Sequence, residues 1–356
     1  MPDTIEIPQF SESLEALADI NTPFPARLLR GFSDLTPRYL KEMSLVWQTL
    51  PFQRKIDFLE DLESVLDTDT LVNFDELARY VLQDAAPAVR ILALRLLWEC
   101  ETPSIITELV RILAQDEDEA TRATTASLLG KFVLLGEYDA LNTSNKNLVI
   151  SALLAVLTGN EKPLVRQRSL ESLGYSSHPS VPDLIQQALQ SSDNLWVSAA
   201  LCAIGRSADD AWAPQVEQML NSADAEVQFE AIRAAGELEL TSARESLLNL
   251  LDNEIEDEEI KLAIIWSLSQ IGGDDIKEKL TELLEDASSE NESEWIEKAI
   301  ENLELSVSGS MNLFDYSPDE YDDDLDEDDF GEDVDDLEDD DEEYLDEEIN
   351  DMDEDE

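Results

Sequence analysis

One histidine and two cysteines in 356 residues leave little material for metal or thiol chemistry. Zinc takes about four Cys or His ligands at close spacing, and Cys100, His178 and Cys202 are scattered along the chain. Each cysteine falls near the core side of a predicted helix. Both are read as buried small apolar residues without a disulfide, which suits a reducing, cytoplasmic setting. No run of 18 apolar residues exists, so no membrane span is expected. The opening Met1-Pro-Asp-Thr-Ile-Glu lacks a basic stretch followed by an apolar run, so no signal peptide is expected. Positive charge is scarce: there is no Lys or Arg after Lys298, and the net charge is −61. Residues 315–356 hold 28 Asp and Glu, leaving −33 for residues 1–314. Nucleic acid is a poor partner for such a surface, because phosphate contact needs Lys and Arg clusters. Glycine-rich phosphate loops are also missing: Gly272-Gly273 reads as an inter-helix turn. A calcium loop starting at Asp326 fails, with Phe330 at position 5 and Leu337 at position 12 where ligands are required. No cofactor site is read.

What the chain does have is a repeat. From Val227 the apolar positions run Ala231, Ile232, Ala235, Gly236, then Ala243, Leu247, Leu250 and Leu251. The same offsets from Trp196 give Ala200, Leu201, Ile204, Gly205, Trp212, Val216, Met219 and Leu220. From Val165 they give Ser169, Leu170, Leu173, Gly174, Val181, Ile185, Ala188 and Leu189. Offsets 4, 5 and 8 share one face of a helix, and offsets 16, 20, 23 and 24 share one face of a second helix. The glycine at offset 9 is predicted to end the first helix through a left-handed turn. A helix–turn–helix unit with a period of 31 is the mark of a stacked repeat. Further copies start at Phe58, Val89, Thr121 and Ile260. Trp295, followed by Ala299, Ile300 and Leu303, reads as a terminal half-repeat with a polar outer side, as a cap needs. In the copy from Thr121, some twelve extra residues around 133–145 delay the second helix. They read as a longer turn with a short helical piece, or as a functional loop on one face.

Small acidic turns, a Val-Arg start and a Leu-Gly end recur through this pattern. Ala88-Val89-Arg90, Ala120-Thr121-Arg122 with Leu129-Gly130, and Leu164-Val165-Arg166 with Leu173-Gly174 are followed by Glu226-Val227-Gln228 with Ala235-Gly236 and Glu259-Ile260-Lys261 with Ile271-Gly272. Residues 54–304 thereby resemble HEAT-like repeats of the short, bacterial, phycobilisome-lyase type. Departures are Trp98 where Gly is expected, and Ser198 and Gln228 where Arg is expected. The resemblance implies an all-α, right-handed α-solenoid of six to seven helix pairs over residues 36–305. Residues 1–35 form an N-terminal arm that either docks or stays mobile, with Ile5-Glu-Ile-Pro-Gln-Phe extended. Thr36-Pro37 reads as an N-cap and first helical residue.

Residues 306–356 form an acidic tail, expected to be disordered because like charges resist collapse. Aromatic and aliphatic residues such as Phe314, Tyr316, Tyr321, Phe330 and Tyr344 interrupt the acid. That composition suits either a solubilising brush or a segment that engages basic, partly apolar surfaces.

The family includes enzymes. Deoxyhypusine hydroxylase holds iron through repeated His-Glu pairs, but His178 is single and followed by Pro179. Bilin lyases share the repeat type, and a lyase-type enzyme is the alternative reading by analogy. HEAT-like DNA glycosylases need a basic groove, which the charge opposes. The favoured reading is a non-enzymatic binding scaffold, an adaptor or assembly factor, whose expected partner is a basic protein or peptide rather than nucleic acid or a membrane. In this repeat type second helices line the concave side, and offset 22 should face away from the core. Down the stack it holds Arg111, Ala155, Gln187, Gln218, Asn249 and Glu282. Successive amides can donate to and accept from an extended peptide backbone. They equally fit ordinary helix-surface polarity. Arg90, Arg122 and Arg166 share one offset at the start of first helices. They form either a basic stripe able to take acidic segments or structural bonds to the acidic turns at Asp84, Asp116 and Asp118.

Overall fold

Asp118, Asp193, Asp224 and Asp257 each stand one residue ahead of a helix and accept a hydrogen bond from its first turn. The acidic turns of the repeat are therefore N-caps. The Thr121 N–H at 2.7 Å from Asp118 Oδ2 and the Val227 N–H at 3.1 Å from Asp224 Oδ1 hold both carboxyls below the usual carboxylate range. The helix macrodipole acts in the same sense.

The computed structural model describes residues 9–66, 68–252, 257–285, 287 and 289–314, and every regular element among them is helical. Helix α1 (Phe10–Ala18) leads through a 3-10 segment (Ala26–Phe32) to α2 (Pro37–Trp47). Seven helix pairs follow among the described residues: α3 (Phe52–Leu66) with α4 (Asp75–Val81), α5 (Pro87–Leu96) with α6 (Ile106–Gln115), α7 (Glu119–Glu137) with α8 (Thr143–Thr158), α9 (Pro163–Leu173) with α10 (Val181–Leu189), α11 (Asn194–Arg206) with α12 (Ala213–Met219), α13 (Ala225–Glu237) with α14 (Arg244–Asp252), and α15 (Glu258–Ile271) with α16 (Asp274–Glu285). Helix α17 (Glu290–Phe314) comes last and runs past the boundary expected at residue 305. Residues 306–314 carry no acid and no proline to stop it. Backbone contacts separate residues 1–307 from residues 308–356. The acidic tail from 315 and the Ile5-Glu-Ile-Pro segment lie outside the described residues.

First helices α3, α5, α7, α9, α11, α13 and α15 pack in succession, and each second helix from α4 to α14 packs on the first helix of the next pair. The residues at offsets 4, 5 and 8 are fully buried: Ala231, Ile232 and Ala235, and Ala200, Leu201 and Ile204. This nearest-neighbour burial is what makes a solenoid stable.

The offset-9 glycines do not end their helices in a left-handed turn. Gly130, Gly205 and Gly236 lie inside α7, α11 and α13, and Gly174 caps α9 in right-handed geometry. Their role is close approach. A Cβ on Gly174 would stand 2.5 Å from the Ala203 carbonyl oxygen, and one on Gly236 would stand 2.8 Å from Ser267 Cα. Ser172 and Ser267 use the same proximity to donate hydroxyl bonds to the Ala126 and Ile232 carbonyls of the preceding first helix, at 2.8 and 2.9 Å. Gly272, at offset 12 from Ile260, does end its helix, capping α15 at a positive φ of 68°.

The extra residues of the third pair are not a long turn. They lengthen α7 to Glu137 and leave only residues 138–142 as connection, with Asn142 capping α8. Phe132 and Val133 are fully buried. At the far end, Glu137 accepts the Ser177 N–H and Oγ–H at 3.1 and 2.8 Å, which ties α7 to the turn before α10.

The N-terminal arm docks over its described residues. Phe10, Phe24 and Phe32 join Phe58 of α3 in one aromatic cluster, with ring centroids 4.8–5.8 Å apart for the Phe10–Phe32, Phe24–Phe58 and Phe32–Phe58 pairs. Arg54 donates to the carbonyls of Ala16, Leu17, Asp19 and Thr22 at 2.8–3.3 Å, satisfying the open C-terminal end of α1.

Candidate binding surface

Offset 22 lies on the exposed side of the second helices, as the periodicity requires. Arg111, Ala155, Gln187, Gln218, Asn249 and Glu282 are all exposed. Helices α10, α12 and α14 present the three amides at one register because the residues on either side, such as Ile185 and Ala188, Val216 and Leu220, and Leu247 and Leu251, are drawn into the core. The Arg111 guanidinium is 3.7 Å from Glu108.

The three arginines of the other predicted feature hold repeats together. Arg90 makes a bidentate pair with Asp116 at 2.6 and 2.9 Å and also donates to the Asp84 carbonyl. Arg122 pairs with both oxygens of Glu161 at 2.8 and 3.2 Å and donates to the Asp116 carbonyl. Both are only 11–12% exposed. The Arg122 bonds hold the Glu161 carboxyl below its usual range. Arg166 differs. Its Nε donates to the Leu157 carbonyl at 2.8 Å and its guanidinium lies over the Trp196 ring at 5.1 Å. Among the described residues it has no carboxylate partner.

Internal pairing of this kind consumes most of the positive charge. At least sixteen of the 23 Lys and Arg residues are in ion pairs within the chain. Residues 79–168 hold ten Lys and Arg against eleven Asp and Glu, whereas 171–314 hold seven against thirty. The later repeats therefore offer amides and uncompensated carboxylates.

On the first helices the sequence reading missed a polar network. Arg168 reaches Glu171 at 2.8 Å, Arg206 lies over Tyr175 at 5.1 Å, and Arg233 reaches Glu230 at 3.2 Å and Glu237 at 2.8 Å. Cys202 is buried among these groups, and burial pushes its thiol up to about 12. It is an unreactive thiol at neutral pH. Burial, aided by Glu171 and Glu237 and opposed by Arg233, also raises the Glu230 carboxyl. The residues sit at offsets 3, 6 and 10. That signal appears only when successive repeats are laid side by side.

Among the described residues no group of three His, Cys, Asp or Glu is placed to hold a metal ion, and no helix is long and apolar enough to cross a membrane.

The family model for HEAT repeats matches residues 75–143 and 213–301. Comparison with curated proteins finds no match. Three similar solved structures are the Escherichia coli protein YibA, the CpcE–CpcF complex of phycocyanin lyase from Nostoc sp., and human deoxyhypusine hydroxylase. YibA is 15% identical over 78% of this chain and 95% of its own, with a TM-score of 0.41. The CpcE–CpcF structure is 20% identical over 64% and 94%, with a TM-score of 0.42. The hydroxylase is 16% identical over 74% and 95%, with a TM-score of 0.33. Residues 75–143 and 213–301 match HEAT repeats, and the seven stacked helix pairs among the described residues form an α-solenoid.

Proposed function

We propose that this solenoid is a non-enzymatic binding scaffold, an adaptor or assembly factor, that holds an extended basic segment of a partner protein along its second helices. One observation carries the reading. Gln187, Gln218 and Asn249 are exposed at the same register of three successive second helices, in the part of the chain where acid outnumbers base by thirty to seven. An amide both donates and accepts, so each can bond a peptide unit of an extended chain. Carboxylates beside them, including Glu245 and Glu282, attract Lys and Arg side chains of that chain. The test is binding of basic peptides by the intact protein and by a variant with the three amides replaced by Ala. Loss of binding at unchanged melting temperature supports the reading; equal binding refutes it.

A further inference from the structure

The turns before the first helices share one local bond. Asp84, Asp116, Ser191 and Ser222 each accept, through a side-chain oxygen, the backbone N–H two residues on, at 3.0–3.2 Å. They are equivalent positions in four repeats, five residues before Val89, Thr121, Trp196 and Val227. Where that position is acidic, a cation of the preceding first helix answers it: Lys55 pairs with Asp84 at 2.6 Å, and Arg90 pairs with Asp116 at 2.6 Å. In the third junction Glu161, one residue along, answers Arg122. At Ser222 the acid is gone, and the start of α11, Val197-Ser198, carries no cation. At Ser191 the acid is gone but the cation, Arg166, remains. The positions five and four residues before Trp196 are both serine, so no internal carboxylate replaces the missing one.

Arg166 is thereby left facing a pocket of about 430 Å³ shared with Thr158, Gln187, Ser191 and Trp196. The indole fills the site of a Val or Thr in the neighbouring repeats, and the guanidinium lies over its ring at 5.1 Å. With Nε bonded to the Leu157 carbonyl, the terminal nitrogens of Arg166 carry the donors left for a ligand, and a guanidinium can present two of them to one carboxylate.

We propose that this pocket is a carboxylate-binding site: an acidic side chain or a C-terminal carboxylate, supplied by a bound peptide, pairs with the Arg166 guanidinium as Asp116 pairs with Arg90, but through the terminal nitrogens that the Leu157 carbonyl leaves open. The inference deepens the scaffold reading by assigning the carboxylate end of the peptide to Gln187 and its basic part to the later repeats, and it rests on that reading only for the source of the carboxylate.

The pocket can be tested without any partner. The probes are N-acetylglutamate amide, which carries only a side-chain carboxylate, N-acetylalanine, which carries only a terminal one, and N-acetylglutamine amide, which carries neither. The readout is the Trp196 indole N–H resonance of the intact 15N-labelled chain, assigned with Trp196→Phe. Saturable shifts with either carboxylate and none with the amide are expected, and the tighter carboxylate identifies the source. Ser191→Asp restores the internal partner and should weaken the carboxylate response tenfold or more without lowering the melting temperature; Arg166→Gln should weaken it similarly, since a charged hydrogen bond contributes about tenfold or more. Equal shifts with the amide, or an undiminished response in Ser191→Asp, would overturn the proposal. Peptide binding that depends on Gln218 and Asn249 but ignores Ser191→Asp would remove the pocket and leave the scaffold standing.

Discussion

Gly174 and Ala203 approach so closely that no side chain fits between them: a Cβ on Gly174 would lie 2.5 Å from the Ala203 oxygen and 2.7 Å from its Cα. Both obstacles are backbone, so neither can rotate away. Gly174→Ala should force α9 and α11 apart and cost about 1–3 kcal/mol, the usual penalty of overpacking. Gly205→Ala is the internal control. Its closest obstacle is the Glu237 carboxylate, a mobile side-chain end, while the nearest backbone atom is 3.2 Å away. Chemical denaturation should rank Gly174→Ala clearly below Gly205→Ala. Equal midpoints would contradict the close-packing account of the first-helix layer.

Asp84 ties three elements at one point, accepting from Lys55 Nζ at 2.6 Å, Trp47 Nε1 at 2.8 Å and Ala86 N at 3.0 Å. Burial works against its ionisation, but the Lys55, Ala86 and Trp47 bonds outweigh that and hold the carboxyl below its ordinary value of 3.8. A depressed carboxyl stabilises the fold above its unfolded value, and the gain is lost as pH falls through the folded value. Breaking a buried pair costs about 3–5 kcal/mol. Asp84→Asn should therefore be much less stable than the parent from pH 5 to 8, and the gap should begin to narrow below about pH 4 and vanish only once pH falls below the depressed folded value. A gap independent of pH would show that the carboxylate charge is not what the site uses.

Arg54 holds the N-terminal arm by four backbone carbonyls and lies 5.7 Å from the Phe24 ring centroid. Arg54→Met keeps the aliphatic stem and removes every donor. The loss should be about 1–3 kcal/mol, concentrated in the arm. Limited proteolysis should then cut residues 18–27 faster than in the parent, with the helical signal of the repeats retained. An unchanged cleavage rate would mean the aromatic cluster holds the arm unaided.

Helix pairing was legible because the buried pattern recurs at the same internal offsets in each copy, 31 residues apart from Val165 through Val227, and each apolar face is set by local spacing alone. The glycines were not, since what Gly174 touches is a residue 29 positions on. Both a helix-ending turn and a close contact ask for a missing Cβ, and only the neighbouring helix decides between them. The residues after Val133 misled for a related reason: Phe132 and Val133 extend the buried stripe of α7, so the insertion continued a helix instead of opening a loop. At the candidate binding surface, the exposure of Gln187, Gln218 and Asn249 followed directly from the period. The difference between Arg166 and its two counterparts did not. It depends on Ser191 and Trp196, which belong to the next turn and the next helix.

The most direct measurement is quantitative binding of an array of extended peptides, graded from acidic to basic, to the intact chain and to the variant with Gln187, Gln218 and Asn249 all replaced by Ala. Each net hydrogen bond contributes about 0.5–1.5 kcal/mol, so their joint loss should weaken binding tenfold or more. The account predicts that basic peptides bind the parent chain, that affinity falls with added salt as exposed charges are screened, and that the triple variant loses that affinity while melting at the same temperature. Binding that is indifferent to peptide charge, or undiminished in the triple variant, would contradict it.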